Sequence, residues 1–277
     1  MSYPIVLAHG VCRFDQAWSD SPGIGSNNDP KLDQLHYFKG LRTELMTHGF
    51  TVYHSNVSWA ASVESRAKQL RDNIIKILKI EKCKKLNIIA HSMGGLDARH
   101  MLFKFRDSDH LHECIASLTT ISTPHNGSPF ADWGTDKLPY VIPVAQKLGL
   151  YLDGLKDLRT DQCRIFNTNP DVVEFEKSCE KKIVFQTFAG RQKFWGVFDP
   201  LKLPFYIIEK KEGDNDGLVS VKSAKWKDHY FKGILENTDH LNQLGWWHPS
   251  QIFDHETESQ LLKRIHEFYL NVAKRLP

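Results

Sequence analysis

A chain of 277 residues with 41% hydrophobic and 25% charged content can build one α/β domain or two small ones, with the composition of an ordinary soluble globular protein. A net charge of +3 is too small to argue for nucleic acid, and no apolar run is long enough to span a membrane. Lys181-Lys182 and Lys210-Lys211 read as solvated loop ends rather than a phosphate track. Met1 leads into an apolar strand with no basic-then-apolar leader, which points to a cytoplasmic chain. Five cysteines, Cys12, Cys83, Cys114, Cys163 and Cys179, form no C-x-x-C pair, so free thiols are expected.

In chain order, Tyr3 to Ala8 is an apolar run that ends at His9-Gly10-Val11, a strand followed by a glycine turn. The segment from Arg13 to Lys39 is rich in Asp, Ser, Gly and Asn and reads as an irregular loop opening into a helix near Tyr37 to His48. Phe50 to Tyr53 is a second strand. Val63, Ala67, Leu70, Ile74 and Ile77 fall at helical spacing behind Ser62 as N-cap. Ile115 to Ile121 is a strand leading into S-T-P-H-N-G-S. From about 130 to 158 the strand–helix alternation stops. The apolar cluster Val141 to Ala145, Leu148, Leu150 to Leu152 and Leu155 predicts a helical insertion, placed to cap the site. Ile183 to Ala189 resumes the sheet, Phe205 to Ile208 reads as a short strand, and Tyr230 to Leu235 as the last one. A closing helix carries Leu261, Ile265, Phe268 and Val272 on one face behind a Thr257/Gln260 capping box. The alternation predicts a mostly parallel sheet with helices on both faces, in a single domain spanning 1–277.

The chemistry centres on Leu86 to Gly95, L-N-I-I-A-H-S-M-G-G. An apolar strand stops at a tight turn with Ser92 at its apex, and a helical pattern follows. That is the context of a nucleophile elbow, in which small residues (here Ala90 and Gly94) must flank the serine. A serine hydroxyl needs a base, and the base an orienting carboxylate, in the chain order Ser, acid, His. After the elbow helix His125, His229, His240, His248, His255 and His266 are available. His240, in a loop after the last strand, is best placed. Asp216, in a glycine-flanked turn, leads for the acid, with Asp214 and Asp199 as rivals and Asp239 too near His240. Met93 N–H and an N–H from the first turn, Val11, would hold an oxyanion. Cys12, close to that turn, is the minor alternative nucleophile. His9 and Pro124-His125 read as turn structure.

Y-P-I-V-L-A-H-G at Tyr3–Gly10, A-H-S-M-G-G at Ala90–Gly95, S-T-P-H-N-G-S at Ser122–Ser128, N-D-G-L-V at Asn215–Val219 and D-H-L-N at Asp239–Asn242 occur in this order across almost the whole chain. Together they resemble the bacterial true-lipase family of α/β-hydrolases, typified by Pseudomonas and Burkholderia triacylglycerol lipases. The resemblance implies an α/β-hydrolase fold with a helical lid after the P-H-x-G-S turn. It implies Ser92, Asp216 and His240 as the catalytic set, settling Asp216 over Asp214, and Val11 and Met93 as oxyanion donors. An apolar lid would favour a lipid ester as substrate and contact with a lipid–water interface, and the family is usually secreted. Many family members carry a structural calcium beside the catalytic histidine. Here Asn242 stands where a carboxylate is expected, leaving Asp199 as the other candidate, so a tight calcium is not expected. The expected function is carboxylester hydrolysis without a required cofactor. The alternatives are an acyltransferase or short-chain esterase on the same residues, and a catalytically silent binding protein.

Overall fold

The computed structural model describes residues 2–10, 28–58, 61–136, 152–252 and 256–277. Six strands, β1 (Ile5–Ala8), β2 (Val52–His54), β3 (Leu86–His91), β4 (Ile115–Ile121), β5 (Val184–Arg191) and β6 (Phe231–Glu236), form one sheet in the order β2-β1-β3-β4-β5-β6. Every neighbouring pair is parallel. This is the expected α/β architecture, and its cause is visible in the strands. β1, β3 and β4 are buried at every residue, so both faces must be covered.

Alternate residues feed two cores. Ile5, Leu7, Ile89 and Ile121 face one, with Leu41, Leu45, Ile265 and Tyr269 from the covering helices. Val6, Ala8, Ile88, Ala90 and Leu118 face the other, with Ala67, Leu70, Ile74, Ile77 and Met101. Helix Val63–Ile80 is held by the predicted stripe, and Ser62 Oγ accepts from Ser65 N. Each large apolar side chain that it buries is worth about 1.5–3 kcal/mol. The Thr257/Gln260 capping box opens the last helix, Glu258–Ala273, as expected.

The chain leaves β1 toward β2 on one side and returns to β3 on the other. The strand order therefore reverses between β1 and β3, where a crevice forms beyond their carboxyl ends. Ala8 pairs in register with Ala90, which sets the His9-Gly10 turn beside the His91-Ser92 turn.

Some expectations need correction. Phe205 to Ile208 is not a strand but part of helix Lys202–Glu212, in which Phe205 and Ile208 are the buried positions. A four-residue apolar run fits either state, and packing decided. The helix expected from Tyr37 starts at Leu41, because Gly40 at φ 65° breaks the turn. Of the insertion expected over about 130–158, helices Pro129–Asp136 and Leu152–Asp157 are described, and the apolar cluster between them lies outside the described residues. Helices Thr160–Thr168 and Pro170–Cys179, which follow, had no counterpart in the sequence reading.

Candidate active site

Ser92 stands between β3 and helix Met93–Lys104 with φ 56° and ψ −134°, a conformation costly for a residue with a side chain. Neighbours fix it there. Ser92 N donates to Ile121 O (3.0 Å), and Thr123 Oγ1 donates to Ser92 O (2.7 Å). The glycines are required by close approach. A Cβ on Gly94 would lie 2.5 Å from Ala8 O, and one on Gly95 would lie 2.2 Å from Thr123 Oγ1. Met93 opens the helix, so its N–H has no intrahelical acceptor and lies beside the serine.

The turn after β1 abuts the serine, since a Cβ on Gly10 would come within 2.8 Å of Ser92 Cβ. Val11 and Cys12 lie outside the described residues. His9 Nδ1 donates to Gly10 O (2.8 Å), a turn-holding bond of the kind expected for that residue. Burial and the nearby Arg66 push the His9 imidazole down to about 3, so it is neutral near pH 7.

Asp216 lies in the turn closing the Asn215–Ser220 bridge and is fully buried. Its Oδ1 accepts from Leu218 N (3.0 Å) and Val219 N (2.8 Å), and its Oδ2 from His240 Nδ1 (2.8 Å) and Gln243 Nε2 (2.8 Å). Burial alone would raise this carboxyl, but His240 and the backbone donors bring it down to about 2. The rivals go elsewhere. Asp214 is exposed and paired with Arg191, and Asp199 is exposed and paired with Lys202. Among the histidines, His125 turns away from the pocket toward Thr120 Oγ1 and stacks on Trp226. His229 pairs with Glu180 and His266 bonds Lys39 O, while His248 caps a short turn. His255 lies outside the described residues.

Ser92 and His240 line one cleft with Pro124, Ser128, Phe130, Ala131, Leu155, Leu158, Leu218 and Val219. Ser92 and His240 are not hydrogen-bonded to each other. A hydroxyl, an imidazole whose Nδ1–H is held by a carboxylate, and apolar walls can together carry out acyl transfer.

Five supporting residues were not anticipated. Gln243 donates to the same Asp216 oxygen as His240, and Gly190 opposite has no room for a Cβ, which would lie 2.0 Å from Gln243 Nε2. Tyr37 hydroxyl bonds His91 Nδ1 (2.8 Å), and the His91 ring lies 4.5 Å from that of His240. Arg66, fully buried, holds Asp97 Oδ2 through Nε (2.9 Å) and Nη2 (2.7 Å), and reaches His9 O (2.7 Å) and Gly10 O (3.3 Å). It ties two helices to the turn beside the nucleophile. The signal was an arginine on the apolar stripe of its helix, in step with Val63, Ala67 and Leu70. Arg66→Met is expected to lower stability by about 3–5 kcal/mol, because Asp97 keeps its burial and loses its partner. Urea unfolding followed by circular dichroism checks this, and a loss below about 1 kcal/mol would contradict the bracing role.

The oxygens around His240 already accept hydrogen bonds. Asp239 Oδ1 accepts from Leu241 N and Asn242 N, and its Oδ2 from Phe198 N (3.0 Å) and Gln251 Nε2 (2.6 Å). Asn242 Oδ1 accepts from Asp239 N, and its amide donates to Trp246 O. The oxygens that a hard cation would need are already engaged by N–H donors, and Asp199 is held by Lys202. No cluster of three or more His, Cys, Asp or Glu occurs among the described residues.

Residues 47–141, which contain the elbow, match the family described as "PGAP1-like alpha/beta domain". The chain is 31% identical to triacylglycerol lipase 2 of Saccharomyces cerevisiae, over 88% of this chain and 80% of that one. It is 32% identical to a triacylglycerol lipase of Pseudarthrobacter phenanthrenivorans, over 87% of each chain. Among solved structures it is similar to Staphylococcus hyicus lipase, with a TM-score of 0.63 and 17% identity, covering 98% of this chain and 95% of that one. At that identity the structural likeness speaks for the fold alone.

Proposed function

The chain belongs to the lipase family and has the α/β-hydrolase fold, and from this we propose that it cleaves lipid esters through an acyl-enzyme formed on Ser92. The class, a carboxylic ester hydrolase, follows from the family. The residues, the substrate and a place near the Pseudomonas and Burkholderia enzymes are this reading's own. The observation that carries it is Asp216 fixing the Nδ1 side of His240, which turns Nε2 toward the cleft that Ser92 shares.

In the proposed sequence His240 Nε2 takes the Ser92 proton as Oγ attacks the ester carbonyl. Met93 N–H and, as the sequence reading has it, Val11 N–H receive the oxyanion. His240 then protonates the departing alcohol, and water attacks the acyl-enzyme with the same histidine as base. Leu155 and Leu158 line the cleft beside Ser92 and His240, which supports reading the segment beyond Pro129 as a lid.

Two measurements test the reading. A fluorophosphonate should label Ser92, as it would not in a silent binding protein. A series of p-nitrophenyl esters should show preference for longer chains, whereas cleavage of short chains alone would return the insertion to a packed cap over an esterase pocket. Product analysis with added alcohol separates transferase from hydrolase. Dialysis against a chelator is expected to leave both rate and melting temperature unchanged, because N–H donors fill the place of the cation. A loss restored by calcium would contradict this.

A further inference from the structure

Two buried polar atoms beside Asp216 and His240 have no formed hydrogen bond among the described residues: Nε2 of His91 and Oε1 of Gln243. Both residues are fully buried, so neither atom can turn to solvent. Their needs are complementary. Gln243 Nε2 lies against two acceptors, Asp216 Oδ2 (2.8 Å) and Asp239 O (3.2 Å), which fixes the NH₂ end of the amide there. The amide oxygen is left as an acceptor in want of a donor, and Gln243 acts on the His91 ring as a hydrogen-bonding neighbour. A proton on His91 Nε2 supplies that donor. Nδ1 of the same ring then accepts, and the Tyr37 hydroxyl, 2.8 Å away, donates to it.

We propose that Tyr37, His91 and Gln243 form a second hydrogen-bonded chain into Asp216, each donating to the next, and serve as positioning residues for ester hydrolysis at Ser92. The chain begins at the turn beside the nucleophile, where a Cβ on Gly10 would lie 2.7 Å from the Tyr37 hydroxyl and 2.8 Å from Ser92 Cβ. It ends on the oxygen that holds His240 Nδ1. Gln243 cannot reverse its amide, because its oxygen would then face the Asp216 carboxylate, so Asp216 offers Oδ2 to His240 in one orientation. His91, whose ring lies 4.5 Å from that of His240, stays neutral, since its free lone pair is taken by Tyr37. The titratable groups that face it are Tyr37, His240 and Asp216, and burial, with His240, holds its imidazole well below the usual range. A charged ring there would oppose the imidazolium that forms when His240 takes the serine proton.

The His91 tautomer is read without substrate, so it is tested apart from the ester-hydrolysis reading on which the inference rests. Long-range ¹H–¹⁵N spectra of histidine-labelled protein near pH 7, with the His91 signals assigned by their loss in His91→Gln, should show the proton on Nε2. A proton on Nδ1 would overturn the proposal. Tyr37→Phe keeps the ring and its packing and should shift the His91 Nδ1 resonance toward that of a free lone pair. An unmoved resonance would overturn it as well, and this arm holds even where other variants fail to fold. Initial rates on a soluble short-chain ester read the positioning role. His91→Leu and Gln243→Leu should each lower kcat about tenfold with KM nearly unchanged. The double variant should lose no more than the worse single, because the residues act as one chain. His91→Gln, whose amide can place an N–H where Nε2–H stood, should recover to within about threefold of wild type. Losses that multiply in the double variant, a rise in KM alone, or His91→Gln as impaired as His91→Leu would mean that these residues only fill space, and would overturn the proposal.

Discussion

Ser92→Ala is expected to lower the rate of ester hydrolysis by about 10⁴-fold or more while the protein still folds, because the nucleophile is lost and the pocket is otherwise intact. Initial rates on a soluble p-nitrophenyl ester, with near-ultraviolet circular dichroism alongside, measure both parts. Retention of most of the activity would remove Ser92 from the chemistry. The backbone provides a second readout. At φ 56° and ψ −134° alanine is as strained as serine, whereas glycine is not. Ser92→Gly is therefore expected to be equally inactive yet more stable than Ser92→Ala, by about 1 kcal/mol. A glycine variant no more stable than the alanine one would mean that the elbow stores no strain.

Asp216→Asn should cost about 10⁴-fold in turnover, with Asp214→Asn near wild type. The reason lies at one oxygen. Asp216 Oδ2 receives protons from both His240 Nδ1 and Gln243 Nε2. An amide NH₂ at that place faces two donors, so His240 must give up its Nδ1–H and carry the proton on Nε2, where it cannot accept from Ser92. Comparable losses in the two variants would return the acid to the undecided state that the residues alone left. Proton linkage gives an independent check. The native carboxyl titrates near 2, below its unfolded value of about 3.9, so its contribution to stability is complete above pH 4 and is lost as pH falls toward 2. Asp216→Asn should flatten that part of the acid-unfolding curve.

Much of the site was legible because elbow chemistry is local. The tight turn needs small residues at fixed offsets from the serine, and a strand before it and a helix after it leave their periods in the sequence. Chain order could narrow the base to His240 and the acid to Asp216, with Asp214 and Asp199 as rivals. Choosing Asp216 over Asp214 from the residues was not possible, since both lie in the same polar turn. Only folding shows that one side chain turns inward to His240 and the other outward to Arg191. The calcium question divides in the same way. Asn242 raised it, but that Asp239 spends both its oxygens on Phe198, Leu241, Asn242 and Gln251 is a matter of chain segments meeting in space.

The sequence by itself determined the parallel sheet, the helices with strong apolar stripes and the serine at the turn, because these depend on neighbours a few positions apart. Tertiary structure decided the rest. It made a helix of Phe205–Ile208, whose short apolar run fits a strand equally well until it packs on its neighbours. It also brought Arg66 to the His9-Gly10 turn and Gln243 to Asp216. A buried polar side chain takes its role from whichever group it must satisfy, and that partner is chosen by the fold rather than by nearness in the chain.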